Sequence, residues 1–251
     1  MEFPGLPFRK QADSFVDGLL SQLGGITLFI GIIWIIFLTD YIPFLQWHQW
    51  LALRPRQLIG LHGILTMPFV HGSIPHIVSN TIPMIITLLT LAALRPKTWP
   101  WVVLAVILVS GALTWLFGEN HPIVGASALV LGLVTFLVAP GGFLLSWWGY
   151  QRLMGHSRPY PLKIHIVPLI VSGLVGFFCL DNLFFNLVPV MAPMGGANVS
   201  WRAHWCGALA GFIVAFLFAR TGQTDAVPRD VREVFEDFDS KPADPSSASM
   251  M

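Results

Sequence analysis

The stretch Gly118-Glu119-Asn120-His121-Pro122-Ile123-Val124-Gly125-Ala126-Ser127-Ala128, continued by LVLGLVTFLVA to Ala139, decides how this chain is read. A polar segment with a proline gives way at once to an apolar run, and a serine stands at the junction. Ile123 to Ala139 reads as a membrane-crossing helix, yet its 17 residues cover only about 26 Å at about 1.5 Å each, less than the roughly 30 Å hydrocarbon layer. The helix is therefore expected to start below the membrane surface, in a recess that water reaches. Ser127 then lies near a helix N-terminus, where unbonded N–H groups and the helix dipole favour a developing negative charge. Gly125 and Ala126 leave the backbone ahead of it uncrowded. Taken alone, such a serine is equally an ordinary helix cap.

The rest of the composition agrees with a membrane setting. Of 251 residues, 55% are hydrophobic and 11% charged, against about 25% charged in an ordinary soluble domain; mean hydropathy is +0.69. A soluble core cannot hide that much apolar surface. Ten Trp and nineteen Phe supply the aromatic load of segments anchored at membrane interfaces. Net charge is +1 with no long basic run, which excludes a nucleic-acid footprint. Cys179 and Cys206 both fall in apolar stretches and read as buried thiols, not as a disulfide framework.

The predicted fold is all-α, a polytopic bundle of six transmembrane helices: Leu19–Leu38, His76–Leu94, Trp99–Phe117, Ile123–Ala139, Ile164–Leu180 and Ala203–Ala219. Residues 1–18 form an N-terminal segment, 19–220 the six-helix core, and 221–251 a polar tail rich in Pro, Ser, Asp and Ala that reads as disordered. Gly142–Tyr150 is too short to cross and is placed at the interface. Six spans put both termini on one side. Arg9, Lys10, Arg95, Lys97, Arg152, Arg158, Lys163 and Arg220 collect there, so the termini are expected in the cytoplasm. The long first loop, Thr39–Pro75, carries Trp47, Trp50, Leu51, Leu53 and Leu58 beside Arg54 and Arg56, a pattern for a segment half buried and half wet in the headgroup region. Asp181–Ser200, with Phe184, Phe185, Met191, Met194 and Gly195-Gly196, reads as a hinged lid on the outer side.

A polar group inside a membrane span is costly unless it finds partners, which makes each one a functional candidate. Two clusters join Ser127. At the entry to the second span stand His71, His76 and Asn80; the last two, four apart, share one helix face and form a pair of hydrogen-bond donors aimed at one spot. At the start of the sixth span, Ala203, Gly207 and Gly211 recur every four residues, a stripe that lets two helix backbones approach closely. His204 sits next to that stripe. An imidazole beside a closely packed helix can reach a neighbour's serine, and a serine hydroxyl is inert until an adjacent base takes its proton.

The three elements, in this order across spans two, four and six, resemble the rhomboid family of intramembrane serine proteases. The matching residues are His71, His76 and Asn80, the Gly125-Ala126-Ser127-Ala128 element, and Ala203-His204 followed by Gly207 and Gly211. The resemblance implies Ser127 as nucleophile, His204 as general base and acid, and an oxyanion held by the Ser127 N–H with the side chains of His76 and Asn80. It further implies that His71 supports the first loop, that neither metal nor other cofactor takes part, and that the substrates are transmembrane proteins met in a bacterial inner membrane. The chain departs from the family pattern in having Ala128 where many members have Gly, and Leu131 where many carry a Tyr stacked on the catalytic histidine. No acidic residue lies within a span to orient His204, so a slow dyad enzyme is expected.

Two other classes share parts of this pattern. An inactive rhomboid-like protein that binds client membrane helices would have the same fold, and replacement of Ser127 or His204 would favour it. A small-solute transporter would need broken spans and charges near the midplane, and the predicted spans lack acidic residues.

Overall fold

The computed structural model describes residues 6–139 and 200–220. In chain order the helices are α1 (Leu6–Thr39), α2 (Trp47–Trp50), α3 (Gly63–Thr66), α4 (Ile74–Leu94), α5 (Trp99–Phe117), α6 (Ser127–Ala139) and α7 (Trp201–Arg220). Single 3₁₀ turns at Leu58–Gly60 and Met67–Phe69 flank α3. Among the described residues the only β pairing is one antiparallel bridge, Leu53 with Ile123.

Local chemistry sets the ends of α4 and α5. Ser73 caps α4, its hydroxyl accepting from the His76 N–H (3.3 Å), and Pro75 occupies the first turn, where a missing N–H costs nothing. Pro100 does the same for α5. Pro83 stands inside α4 and removes one helical donor. The Thr81 and Thr87 hydroxyls bond back to the carbonyls of Ile77 (2.7 Å) and Pro83 (2.9 Å), so these two hydroxyls are satisfied inside the span.

Four of these helices, counted from Gln22–Thr39, Ile74–Leu94, Trp99–Phe117 and Trp201–Phe218, are long and apolar enough to cross a membrane. They bury only part of their surface: Leu28, Ile35, Ile82, Trp101 and Leu209 all stand at least half exposed, which an apolar solvent tolerates and water does not. The short α6 is different. Ala128, Leu129, Val130, Leu131, Leu133, Val134, Phe136 and Leu137 are all buried, so α6 runs through the middle of the molecule, as expected of a helix apolar on every side. On its flank α1 packs against α4 and α5 through Ile26, Ile33 and Phe37, with the indole N–H groups of Trp34 and Trp99 donating to Thr81 Oγ1 (3.2 Å) and Gln22 Oε1 (2.8 Å).

The fourth span begins later than its apolar run suggests. The helix starts at Ser127, because Ile123 is held in the bridge to Leu53 and Gly125 adopts φ +114°, a left-handed conformation that no helix contains. At the other end of the bundle α1 extends ahead of Leu19 as far as Leu6. In the first loop Trp50 and Leu58 are exposed, and Leu53 is fully buried beside Ile123, Ala128 and Ala203. Cys206 is a buried free thiol. The fifth span, Gly142–Tyr150, Cys179, residues 181–199 of the expected lid, and the tail lie outside the described residues.

The small-residue stripe of α7 faces α6. A methyl group on Gly207 would overlap the Ala128 carbonyl, and one on Gly211 the Gly132 carbonyl and the Thr135 hydroxyl. From the other side, the ideal Cβ position of Gly132 lies 3.0 Å from the Gly207 carbonyl oxygen. With the backbones this close, Thr135 Oγ1 reaches across and donates to the Ala208 carbonyl (2.9 Å). Gly207→Val is expected to destabilise the bundle by on the order of 1–3 kcal/mol, the usual range for overpacking a filled interface. Thermal unfolding of the purified variant beside the parent chain checks this.

Candidate functional site

Ser127 is the first residue of α6 and half-buried. The first helical bond of α6 runs from the Val130 N–H to the Ala126 carbonyl (2.8 Å), so the N–H groups of Ser127 and its immediate successors have no partner within the helix. The Ser127 Oγ stands 2.9 Å from Nε2 of His204, which is buried on α7. With the neutral ring carrying its proton on Nδ1, the hydroxyl donates to Nε2. The contact follows from the glycine stripe: Gly207 sits three residues beyond His204 on the same side of α7, and its close approach to Ala128 brings the imidazole down to the start of α6.

The irregular segment ahead of Ser127 is held by the first loop. Leu53 and Ile123 exchange both backbone bonds (2.9 and 2.8 Å), and the Gly125 N–H donates to the Met67 carbonyl (3.0 Å). Arg56 acts as a clamp: its N–H donates to the Trp115 carbonyl (3.0 Å), and its guanidinium donates to the carbonyls of Leu116 (3.1 Å) and Gly118 (2.8 Å) and to Asn120 Oδ1. Trp115 returns a bond from Nε1 to the Gln57 carbonyl (3.0 Å). Arg56, expected in the headgroup region, thus spends its donors on backbone that neither helix can satisfy.

His76, half-buried at the start of α4, turns the Nε2–Cε1 edge of its ring to the glycine turn. Its Nε2 stands 2.5 Å from where a Gly125 Cβ would be, so Gly125 is required both by its φ and by the imidazole beside it. His71 is buried, makes an edge-to-face contact with His76 (centroids 5.1 Å apart), and accepts a long hydrogen bond (3.4 Å) from the Ala126 N–H at its Nε2. Burial, and secondarily the neighbouring His76, lower the His71 pKa to about 3, so the ring remains neutral and able to accept. Asn80 is buried on α4 and donates from Nδ2 to the His76 carbonyl (2.9 Å), one turn back on its own helix. The structure therefore brings Ser127 and His204 into direct contact and His71, His76 and Gly125 into one cluster beside them. Asn80 lies one turn along α4 from His76, with its side chain bonded to the His76 carbonyl.

Three neighbours, Trp201, Ser200 and Glu119, were given no role by sequence reading. The Trp201 ring meets His204 edge-on (5.9 Å between centroids), one turn earlier on α7. Its spacing of three residues was the available signal. Leu131, at the position of the family's stacking aromatic, is buried in the bundle. Ser200 caps α7, its Oγ accepting from the Ala203 N–H (3.2 Å), and Glu119 accepts from the Ser200 hydroxyl and from the Arg202 N–H (3.0 Å). Burial alone would raise the Glu119 pKa, but the bonds from Ser200, Arg202 and its own N–H, with His121 nearby, hold it below its ordinary value.

Long apolar helices packed around a central short one, with a hydroxyl–imidazole pair where two of them meet, define an all-helical polytopic membrane protein. The family model described as Rhomboid domain matches residues 59–221, and the chain belongs to the rhomboid family. An uncharacterised protein of Mycobacterium tuberculosis is 32% identical over 179 residues, covering 67% of this chain and 63% of that protein, and one of Mycobacterium bovis shows the same figures. An uncharacterised protein of Mycobacterium leprae is 28% identical over 167 residues, covering 63% of this chain and 57% of its own length. The chain thus spans less than two thirds of the length of these curated relatives. No solved structure matches it.

The lowered pKa of His71 has a consequence for stability. Between the ordinary value of about 6.5 and the folded value of about 3, the unfolded chain binds a proton that the folded one refuses, so the contribution of His71 is intact above pH about 6.5 and is lost progressively as pH falls toward 3. Melting temperature is expected to drop between pH 7 and 5, with a shallower slope in His71→Gln. Parallel thermal scans across that range read the difference.

Proposed function

We propose that the chain is an intramembrane serine endopeptidase that cleaves transmembrane segments of other membrane proteins, working through Ser127 and His204. The observation that carries the reading is the 2.9 Å contact between the Ser127 hydroxyl and His204 Nε2 at the N-terminus of α6. Family membership supports the reaction class.

The steps follow from the groups present. His204 Nε2 takes the hydroxyl proton as Ser127 Oγ attacks the scissile carbonyl carbon, and the carbonyl oxygen becomes an oxyanion. Donors for that oxygen are the unbonded Ser127 N–H at the helix start, the His76 ring beside the Gly125 turn, and the second N–H of the Asn80 amide, whose first is used on the His76 carbonyl. The tetrahedral species collapses with transfer of the His204 proton to the departing amine, leaving an acyl-serine. Water, deprotonated by the same imidazole, hydrolyses it. The predicted spans hold no acidic residue to orient the imidazole, so the oxyanion donors are expected to carry a large share of the rate.

The partners proposed are transmembrane proteins and the lipid bilayer itself. The membrane is proposed to be the bacterial inner membrane with both termini cytoplasmic. Mycobacterial relatives support the bacterial setting. The charge distribution supports the orientation: Arg95 and Lys97 sit between α4 and α5, at the opposite end of α5 from Arg56 and Arg202.

The test is covalent labelling of the membrane-embedded chain with a fluorophosphonate, together with cleavage of a single-pass substrate. Ser127→Ala and His204→Ala are expected to abolish both; labelling that persists in Ser127→Ala defeats the reading. Asn80→Ala is expected to lower turnover by roughly 10²- to 10³-fold, the cost of one oxyanion donor. Its melting temperature should hardly move, because the His76 carbonyl keeps a bond from the Ser79 hydroxyl (2.9 Å). An Asn80→Ala enzyme with full turnover would remove Asn80 from the oxyanion site.

A further inference from the structure

We infer that Glu119 is a positioning residue for His204, acting through the capped first turn of α7. The inference rests on the Ser127–His204 reading and adds to it a carboxylate that the dyad itself does not contain.

Glu119 lies in the loop after α5, separated from the α7 start by about eighty positions of sequence. One carboxylate oxygen accepts from the Arg202 N–H (3.0 Å) and the other from the Ser200 hydroxyl. That hydroxyl in turn accepts from the Ala203 N–H (3.2 Å), and the Ser200 carbonyl accepts from the N–H of His204 itself (3.2 Å). An anion thus sits at the N-terminus of a 20-residue helix, where the dipole favours it, and uses both oxygens to fix the turn that bears the imidazole. Arg202 adds a bond from its guanidinium to the Phe117 carbonyl (3.4 Å), so side chain and backbone of one residue tie α7 to the same loop. The loop is not free to drift, because Arg56 holds it on the other side at Leu116, Gly118 and Asn120.

The geometry explains why α7 needs this. Its glycine stripe fixes how near α7 lies to α6, but a stripe of small residues leaves rotation and axial sliding soft. A misplacement of about 1 Å at a reacting group can cost on the order of 10²-fold in rate. Two hydrogen bonds that the Ser200 hydroxyl and the Arg202 N–H donate to a rigidly held carboxylate remove both freedoms at the end where His204 stands.

The variants are Glu119→Gln and Glu119→Ala in the full chain, reconstituted in lipid vesicles. The readouts are fluorophosphonate labelling rate, kcat and KM on a transmembrane substrate, melting temperature, and the ¹⁵N signals of His204 assigned by their loss in His204→Asn. Glu119→Ala is expected to lower kcat and labelling rate about 10- to 100-fold with KM nearly unchanged, and Glu119→Gln, which keeps one acceptor oxygen, by less. The His204 ring signals should move in both. Unmoved His204 signals overturn the inference, as does a loss of kcat that disappears when the assay is run well below the melting temperature of the variant. Absence of Ser127-dependent labelling in the parent chain would refute the protease reading alone, since displacement of the His204 signals still reports the positioning.

Discussion

The close approach of α6 and α7 is the contact on which the rest depends. In a bilayer, apolar side chains gain nothing by leaving lipid for one another, so helices associate through surfaces that fit. Gly207 and Gly211 against Ala128 and Gly132 give such a surface, with the carbonyls of one helix lying where side chains of the other would be. Everything at the site is scaled to that distance. The Thr135 hydroxyl spans it to Ala208, and an imidazole on α7 spans it to a hydroxyl on α6.

Starting α6 at Ser127 leaves residues 118–126 as irregular backbone beside long apolar helices, a placement that hydrocarbon forbids unless every N–H and C=O finds a partner. The first loop supplies them: the Leu53 bridge, the Met67 carbonyl and the Arg56 guanidinium each satisfy groups that no helix can reach. The Arg56 cation in this loop is matched to the carbonyls of Leu116 and Gly118. The same arrangement starts α6 so that the N–H groups of Ser127, Ala128 and Leu129 have no partner within the helix.

Much of this was legible because each element carries a local pattern. Apolar runs of membrane length gave α4, α5 and α7 to within two residues or so, and the four-residue stripe in α7 foretold which face would meet a neighbour. The residues brought together, His71, His76, Ser127 and His204, are polar groups in apolar surroundings, and their cost marks them. What stayed hidden depends on long-range pairing. Nothing local distinguishes Leu53 from the exposed Leu58, or says that Arg56 reaches the carbonyls of Leu116 and Gly118 and that Glu119 reaches Ser200. The start of α6 was misplaced by four residues because apolar composition cannot report that Ile123 pairs with a strand-like partner and that Gly125 has left-handed φ.

The position of Glu119 also bears on how the proposed Ser127–His204 dyad would work with no acidic residue in the predicted spans. In soluble triads the acid both orients the imidazole and stabilises its protonated form. Here orientation is divided among structural contacts: Trp201 braces one side of the His204 ring, the glycine stripe sets its depth, and the Glu119–Ser200 cap fixes its turn. Stabilisation of the imidazolium cannot be divided in that way, because it needs a charge close by in a medium of low dielectric. A proposed site built like this draws the geometric part of the acid's contribution from contacts at the helix end. That placement suits a membrane, where a carboxylate set between α6 and α7 would be costly to desolvate, whereas one at the helix end keeps its hydrogen bonds and contact with water.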